Sequence, residues 1–225
     1  MAQKIPTVLT PKSKAVWPKL TEPDDFKGKK EYKVSIELDP SNEDHAAFIE
    51  KVENAAEEAY DNWVAETEAE LKDAPGAKKA KLKKQLASVK KHVPLTEQAD
   101  DEGDPTGRML FATKMLAEGV SKAGKAWSRK CPLFDSRGKD VTGKAPSIWG
   151  GSTLILEVTL NPFAMPATER AGVSGRLEAV QIIELASGGG GGSKFGVEEG
   201  GYCAEDDEEV TSRFDDIDDD EEEDF

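Results

Sequence analysis

The sequence has few of the residues that build metal centres and disulfide frameworks. It contains two cysteines and two histidines in 225 residues. Cys131 and Cys203 lie far apart without a Cys-x-x-Cys motif, and His45 and His92 are isolated from other ligand types. Because zinc sites and redox motifs need such residues at short, regular spacing, we expect no metal, no cofactor and no disulfide.

Long apolar runs are also missing. No stretch approaches the roughly 20 apolar residues that a membrane span requires. The N-terminal residues MAQKIPTVLTPKSKAVW do not contain the apolar core of a signal peptide. We therefore expect a soluble, intracellular protein that has no membrane partner.

The common motifs of catalysis are absent. The sequence has no Walker loop, no Gly-x-Ser-x-Gly elbow, no His-Glu-x-x-His helix and no paired-carboxylate context. The glycine run Gly188–Gly192 lacks the strand, lysine and helix that accompany a phosphate-binding loop. We therefore expect no enzymatic activity, and a magnesium-dependent nuclease is disfavoured because the body offers no evident metal-carboxylate site.

What the sequence has in abundance is negative charge at its C-terminal end. The segment Ala204–Phe225 carries fourteen carboxylates and one arginine, which leaves 29 basic and 31 acidic residues in the rest of the chain. A segment so charged and so poor in apolar residues cannot offset the entropy of ordering, so we predict a disordered tail that is open to partners. Its predicted partner-binding residues are Asp218, Asp219, Asp220, Glu221, Glu222, Glu223, Asp224 and the terminal Phe225.

The remaining charge is unevenly distributed. Glu43–Asp73 has eleven acids and two lysines, whereas Ala74–Thr96 has seven lysines and no acid. Pro105–Gly150 is basic, with nine Lys or Arg residues against three acids. Because salt screens charges beyond about 8 to 10 Å, local basic patches act independently of the net charge of −15. The composition therefore does not exclude a nucleic-acid partner.

Hydrophobic periodicity predicts a mainly β, α+β fold. Glu31–Leu38 alternates as a half-buried strand, and Ser41 with Asp44 resembles the capping box of a following helix. Helical spacing continues through an insertion at about 42–93, with a second helix over Ala77–Val93, whose lysines would pair with the acidic first helix in the simplest interpretation. These lysines could also contact DNA, dock the tail or form a solvated face, and a solvated face is the commonest role of such a charge run. Four later strands are predicted at Arg108–Leu116, Lys125–Phe134, Thr153–Asn161 and Gly175–Leu185.

One early strand, a helical insertion and later strands with glycine-rich turns are typical of a five-stranded antiparallel oligonucleotide-binding barrel, the OB-fold. We therefore predict a barrel domain over residues 1–186. A glycine-rich linker over 187–203 and the disordered acidic tail over 204–225 follow it.

Aromatic residues between basic ones mark a candidate binding surface. A period of two places Lys125, Trp127 and Arg129 on one strand face, where the indole can stack on a base and the cations can contact phosphates. The same pattern is equally consistent with a core position for Trp127. Phe163 and Phe26 are predicted in loops and suit stacking, whereas Tyr32 and Phe111 are predicted in the core.

Several landmarks resemble the single-stranded DNA-binding proteins of T7-like bacteriophages. They are Tyr32-Lys33-Val34 after a glycine- and lysine-rich loop, the turn Asp135-Ser136-Arg137-Gly138-Lys139, Gly150-Gly151-Ser152 before a strand, and an acidic tail that ends in Asp224-Phe225 after a glycine run. The resemblance is loosest between Phe48 and Pro105. It also departs from the family at Leu116 and Glu157.

This resemblance implies an OB-fold and sequence-independent binding of single-stranded DNA in phage replication and recombination, with strand annealing. It also implies a tail that recruits the replicative DNA polymerase and the primase-helicase, a homodimer, and a phage-encoded protein in the cytoplasm of the infected bacterium. The DNA-binding residues that it implies are Lys4, Lys29, Lys114 and Phe163, to which we add Lys33 on the Tyr-Lys-Val strand.

The function predicted from these observations is binding of single-stranded DNA by stacking and phosphate contacts, with the tail competing for the same groove. The alternative is an acidic-tailed interaction protein or DNA mimic that binds basic proteins rather than DNA. In that case the tail alone would carry the activity.

Overall fold

Strands dominate the structure, a computed structural model that describes residues 5, 7–100 and 102–186, without the side chain of Phe26. The elements in chain order are β1 (Thr7–Leu9), β2 (Ser13–Phe26), β3 (Lys29–Leu38), α1 (Glu43–Asp73), α2 (Gly76–Ser88), β4 (Lys90–His92), β5 (Leu95–Ala99), β6 (Pro105–Leu116), β7 (Glu118–Val120), β8 (Ala126–Ser128), β9 (Leu133–Phe134), β10 (Thr153–Met165), a 3-10 turn (Pro166–Thr168) and β11 (Arg170–Glu184). The predicted linker and acidic tail lie outside the described residues.

Five of these strands close into a barrel, as the sequence predicted. The order around the barrel is β10, β2, β3, β6 and β11, and β11 pairs back onto β10. Four of the five pairings are antiparallel, and the one between β6 and β11 is parallel. Closure of the sheet removes the exposed edges that an open sheet of these strands would present.

The core forms where the alternating strands face the inside of the barrel. Tyr32, Val34, Ile36 and Leu38 of β3 are all buried, as their period of two predicted. Phe111 of β6 is fully buried, also as predicted. Each such side chain contributes on the order of 1.5 to 3 kcal/mol of hydrophobic stabilisation when it is removed from water.

The first helix packs against the barrel through one narrow apolar face. Phe48, Val52 and Ala56 are buried on that face, and the ring of Phe48 meets Phe111 edge to face at 5.2 Å. The three-and-four spacing of these residues is what the amphipathic pattern predicted. The exposed side of α1 keeps the acidic residues in solvent.

Two helix boundaries differ from the prediction. The N-cap of α1 is Asn42, whose side chain accepts hydrogen bonds from the backbone N–H groups of Asp44 and His45. Ser41 instead donates its hydroxyl to Asp39 at 2.6 Å, so the predicted Ser41 capping box is wrong. The second helix ends at Ser88 rather than at Val93, because the following residues enter β4 beside β11.

The predicted strand Lys125–Phe134 is also wrong. The structure divides this segment into β8, which pairs only with β7 in a small separate sheet, and β9, which pairs with β11. Pro132 between them has no N–H group to donate to a strand ladder, which favours a break at this point. As a result Trp127 lies outside the barrel core.

Strand β2 has no counterpart in the prediction, because Pro18 and Pro23 interrupt its apolar pattern. Both prolines are accommodated where the β2–β3 register shifts, between Val16 and Asp24. The strand then turns through Lys27 and Gly28, both at positive φ, into β3. Of the two helices longer than one turn that the described residues form, neither is long and apolar enough to cross a membrane.

Candidate nucleic-acid interface

One face of the barrel carries two adjoining cavities that share Lys114, Ser174 and Gly175 as lining residues. The first, the Trp127 pocket, has a volume of about 450 Å³, and the second, the Trp17 pocket, about 580 Å³. Other residues of the Trp127 pocket include Lys29, Glu31, Leu116, Arg129, Asn161 and Arg176. Other residues of the Trp17 pocket include Lys33, Ser35, His92, Val93, Pro94 and Thr96. We call the two pockets together the basic groove.

Trp127 forms a supported aromatic surface at one end of the groove. Its strand β8 pairs with β7 so that Trp127 lies opposite Gly119, and the indole fills the space where a side chain of Gly119 would lie. Arg129 packs over the indole at 5.3 Å from the ring centroid and donates its Nε–H to the carbonyl of Leu116 at 2.8 Å. The indole remains 36% exposed, so it is held in place while leaving area for a ligand.

Trp17 supplies a second aromatic surface in the other pocket. Trp17 is 73% exposed, which is unusual for a tryptophan within a strand, and it lies where the β2–β3 register is interrupted. Its φ of 48° lies in the left-handed region, although the proline that follows it disfavours helical backbone at that position. A bulky residue is held in such a conformation only where the surrounding structure imposes it, which marks Trp17 as a functional candidate.

Most cations of the groove are paired with nearby carboxylates, and Arg129 instead contacts Trp127 and the Leu116 carbonyl. Glu31 contacts Lys29 at 2.7 Å and Lys114 at 3.6 Å, and Arg176 contacts Glu178 at 3.0 Å. Burial raises the pKa of Glu31, but the hydrogen bond from Lys29 and the charge of Lys114 outweigh that effect and lower the pKa below its ordinary value. The groove is therefore basic, and carboxylates of the protein itself neutralise part of its charge.

Lys33 is paired in the same way in the Trp17 pocket, where it forms an ion pair with Asp24. The hydrogen bond from Lys33 lowers the pKa of Asp24, against a smaller opposing effect of burial. A phosphate that enters the groove would compete with these carboxylates for the same ammonium groups.

The floor of the groove depends on Gly175, where β11 meets β6. A side chain at this position would lie 2.7 Å from the backbone oxygen of Ala112, which is closer than packed atoms approach. The absence of a side chain lets the parallel pairing of Gly175 with Thr113 form and closes the barrel under the groove. This close approach, rather than flexibility, explains the glycine.

Phe163 lies beside the groove and not in a loop. It is part of β10, opposite Gly172, and its ring contacts the ring of His92 at 5.4 Å. Burial and the nearby Arg170 lower the pKa of His92. His92 therefore lines the Trp17 pocket with the ring of Phe163 packed against it, and the predicted loop position of Phe163 is wrong.

Comparison with known proteins identifies the family. The family described as "Single-stranded DNA-binding protein, Bacteriophage T7" matches residues 11–185. The chain belongs to this family. A curated single-stranded DNA-binding protein of Enterobacteria phage T3 is 30% identical over 157 residues, which are 69% of this chain. The match spans 62% of the curated relative's own length.

The fold agrees with a solved member of that type. The crystal structure of gp2.5, a single-stranded DNA-binding protein encoded by bacteriophage T7, is similar with a TM-score of 0.66. The identity is 24%, and the alignment covers 90% of this chain and all of the other. This likeness confirms the predicted OB-type barrel.

Membership in this phage family also decides between the predicted function classes. The family is one of DNA-binding proteins and not of enzymes, in agreement with the prediction made from the missing catalytic motifs. The alternative of an acidic-tailed protein that binds only basic proteins is not favoured. Across residues 7–100 and 102–186, no group of three or more His, Cys, Asp or Glu residues could hold a metal ion.

The structure brings most of the predicted DNA-binding residues together. Lys29, Trp127 and Arg129 line the Trp127 pocket, Lys33 lines the Trp17 pocket, and Lys114 lines both. Their roles in binding stay predictions.

The other predicted residues have different outcomes. Lys125 is exposed in the turn between β7 and β8 and is not among the lining residues of either pocket. Lys4 and the side chain of Phe26 lie outside the described residues.

Among the aromatic and ionisable residues of the groove, sequence reasoning missed Trp17, Glu31, His92 and Arg176. Trp17 had one local signal, because a tryptophan directly before a proline is an uncommon strand residue. Arg176 alternates with buried neighbours and so has the pattern of any exposed strand residue, whereas Glu31 is half-buried at the start of the alternation of β3. His92 belongs to a short strand that only its pairing with β11 defines.

Proposed function

We propose that this protein binds single-stranded DNA without sequence preference in the basic groove. The observation that supports the proposal is the placement of two exposed indoles, Trp17 and Trp127, in adjoining pockets that Lys33, Lys114 and Arg129 line. Bases stack on aromatic faces regardless of their identity, and ammonium and guanidinium groups contact phosphates. Such a surface discriminates single strands from duplex because duplex bases are not free to stack on it.

Most cations of the groove already have carboxylate partners, so DNA binds by exchanging those carboxylates for its phosphates. The phosphates of the strand replace Glu31, Asp24 and Glu178 as partners of the groove cations. Each neutralised phosphate adds about −0.7 to the slope of log K against log salt for single strands. These carboxylates offset part of the positive charge of the free groove, which limits binding of unrelated polyanions.

A titration with labelled oligothymidylate tests the proposal. Trp127→Ala should weaken binding by roughly 5- to 150-fold, since one base stack is worth about 1 to 3 kcal/mol. Trp149→Ala is the matched control, because Trp149 is also exposed but lies outside the residues lining the groove. Equal affinities of the two variants, or a preference for duplex, would sink the groove assignment.

The acidic tail regulates the groove in this proposal. The fourteen carboxylates of Ala204–Phe225 follow the run Gly188–Gly192 in the sequence. A flexible tether raises the effective concentration of a linked ligand to the millimolar range, so a weak polyanionic competitor can occupy a basic site of its own chain. DNA then displaces the tail and frees Phe225.

The freed tail recruits the replicative DNA polymerase and the primase-helicase, and it does so only when DNA fills the groove. An aromatic residue at the end of a polyanionic segment suits a basic pocket with an apolar floor on such partners. The same tail gives the protein a role in phage DNA replication and recombination within the infected bacterium. Formation of a homodimer remains a prediction from the family resemblance.

A further inference from the structure

The second helix carries cations that the first helix does not neutralise. Lys78 forms an ion pair with Glu70 of α1. Within the part of the chain that the structure describes, Lys79, Lys81, Lys83 and Lys84 have no carboxylate within ion-pair distance. All are exposed. The simple interpretation that the basic α2 pairs with the acidic α1 therefore accounts for one lysine of this helix.

Two of the unpaired lysines line a cavity. Lys81 and Lys84, with Gln85 and Ser88, face the 3-10 turn Pro166–Thr168 across an open cleft of about 570 Å³. We call it the α2 cleft. Glu169 also lines it and is its only carboxylate among the described lining residues. The cleft thus presents two ammonium groups, an amide and hydroxyls, which is the chemistry of a phosphate-contacting surface and not of an apolar pocket.

The short strand β4 connects the α2 cleft to the basic groove. At one end, the N–H of Lys90 donates to the carbonyl of Glu169 at 2.9 Å, next to the cleft. At the other end, His92 lines the Trp17 pocket. The three residues of β4 span roughly 10 Å at the usual rise of a strand.

Cations continue along this connection. Lys90 pairs in register with Arg170 of β11, and both side chains are exposed. Among the described residues, neither has a carboxylate within ion-pair distance. Lys91, between them and the groove, is paired with Glu57 of α1. Unpaired positive charge therefore extends from the α2 cleft to Lys90 and Arg170, two residues along β4 from the groove residue His92.

We propose that the α2 cleft is a second contact site for single-stranded DNA, which receives the strand after it leaves the basic groove and crosses β4. The inference rests on the proposed function of the groove. It commits to DNA because unpaired cations line the cleft and continue to Lys90 and Arg170, at the end of the strand whose other end, His92, lines the groove. The cleft has no aromatic lining residue, so it adds phosphate contacts that strengthen binding of long strands and leave short strands unaffected.

The test compares two double variants of the full chain. Lys81→Gln with Lys84→Gln removes the two cleft lysines. Lys79→Gln with Lys83→Gln is the matched control, because it removes the same charge from exposed positions of the same helix that do not line the cleft. Gln and Lys have similar helix propensities, so α2 should be preserved in both.

The probes are labelled oligothymidylates of about 6 and about 20 nucleotides, a choice that brackets the site sizes of OB-folds, about 4 to 16 nucleotides. We expect the cleft variant to lose at least about fivefold in affinity for the long strand in low salt, with a salt slope less steep by about 1.4 for two lost phosphate contacts. Its affinity for the short strand should equal that of the control.

Other outcomes overturn the inference and are distinguishable. If the cleft variant behaves as the control does with both strands, α2 does not contact DNA. If it loses affinity for the short strand as well, the cleft holds another polyanion, such as the tail. Removal of the two cleft lysines would then release that polyanion, which would compete with DNA in the groove. If the wild-type protein binds neither strand, the proposed function itself fails, and this inference fails with it.

Discussion

At the scale of single residues, Trp17 links backbone strain to function. Its exposed indole lines the groove while its backbone lies at φ 48°. We expect Trp17→Gly and Trp17→Ala to lose the same affinity for oligothymidylate, because both remove the indole. Thermal unfolding should show the glycine variant to be more stable than the alanine variant by about 1 kcal/mol, since only glycine avoids the left-handed penalty. Equal stabilities would mean that the conformation carries no strain.

Glu31 neutralises part of the positive charge of the groove, because it pairs with two of the groove lysines. It occupies Lys29 and Lys114 in the absence of DNA. We expect Glu31→Gln to tighten binding of oligothymidylate by roughly two- to fivefold in low salt, in keeping with the modest value of partly exposed ion pairs. The gain should fade as salt screens the groove.

The control for this change lies on the same strand. Glu37→Gln removes the same charge and also breaks an ion pair, that with Arg108, but Glu37 does not line the groove. Fluorescence anisotropy of the labelled strand measures the DNA affinity of both variants. Weaker binding by Glu31→Gln would show instead that Glu31 orients its lysines for phosphate.

At the scale of secondary-structure elements, the N-terminus of α1 shows that residue type alone does not identify the N-cap when two adjacent residues can both serve. Ser41 and Asn42 are both good capping residues, but the structure uses Asn42. We expect Asn42→Ala to lower the free energy of unfolding by about 1 kcal/mol in urea titrations. Ser41→Ala should cost clearly less, and neither change should alter DNA affinity. The opposite order of the two losses would contradict the assigned cap.

The elements that were predicted correctly share a strong local pattern. The alternation of β3 and the helical spacing of α1 need only their own residues to be recognised, because one face of each is buried. Strands β2, β4 and β8 lack this signal. Prolines interrupt β2, β4 is three residues long, and β8 is exposed throughout, so only their partners in the sheets define them.

At the scale of the whole molecule, the proposed function makes the acidic tail a competitor of DNA for the basic groove. We expect deletion of residues 204–225 to tighten binding of oligothymidylate by about tenfold in low salt, because a tethered competitor is removed. Above a few hundred millimolar salt the two proteins should converge, since both the tail and the strand are screened.

A length-matched variant separates charge from chain length. Replacing the carboxylates of Asp218–Asp224 by their amides keeps the tail but removes seven negative charges. It should reproduce a large part of the gain in affinity. An unchanged affinity in both the deletion and the amide variant would exclude competition by the tail.

The sequence by itself determined the barrel class, the core face of β3, the acidic tail and several groove cations, because these properties depend on local periodicity and charge. Only the tertiary structure decided which residues meet. Trp17 from β2, Lys114 from β6 and Trp127 from β8 are far apart in sequence and share a groove because the barrel closes. The ion pairs of Lys33 with Asp24 and of Lys114 with Glu31 were hidden for the same reason, because a pair between strands depends on distance in space, which no one-dimensional pattern records.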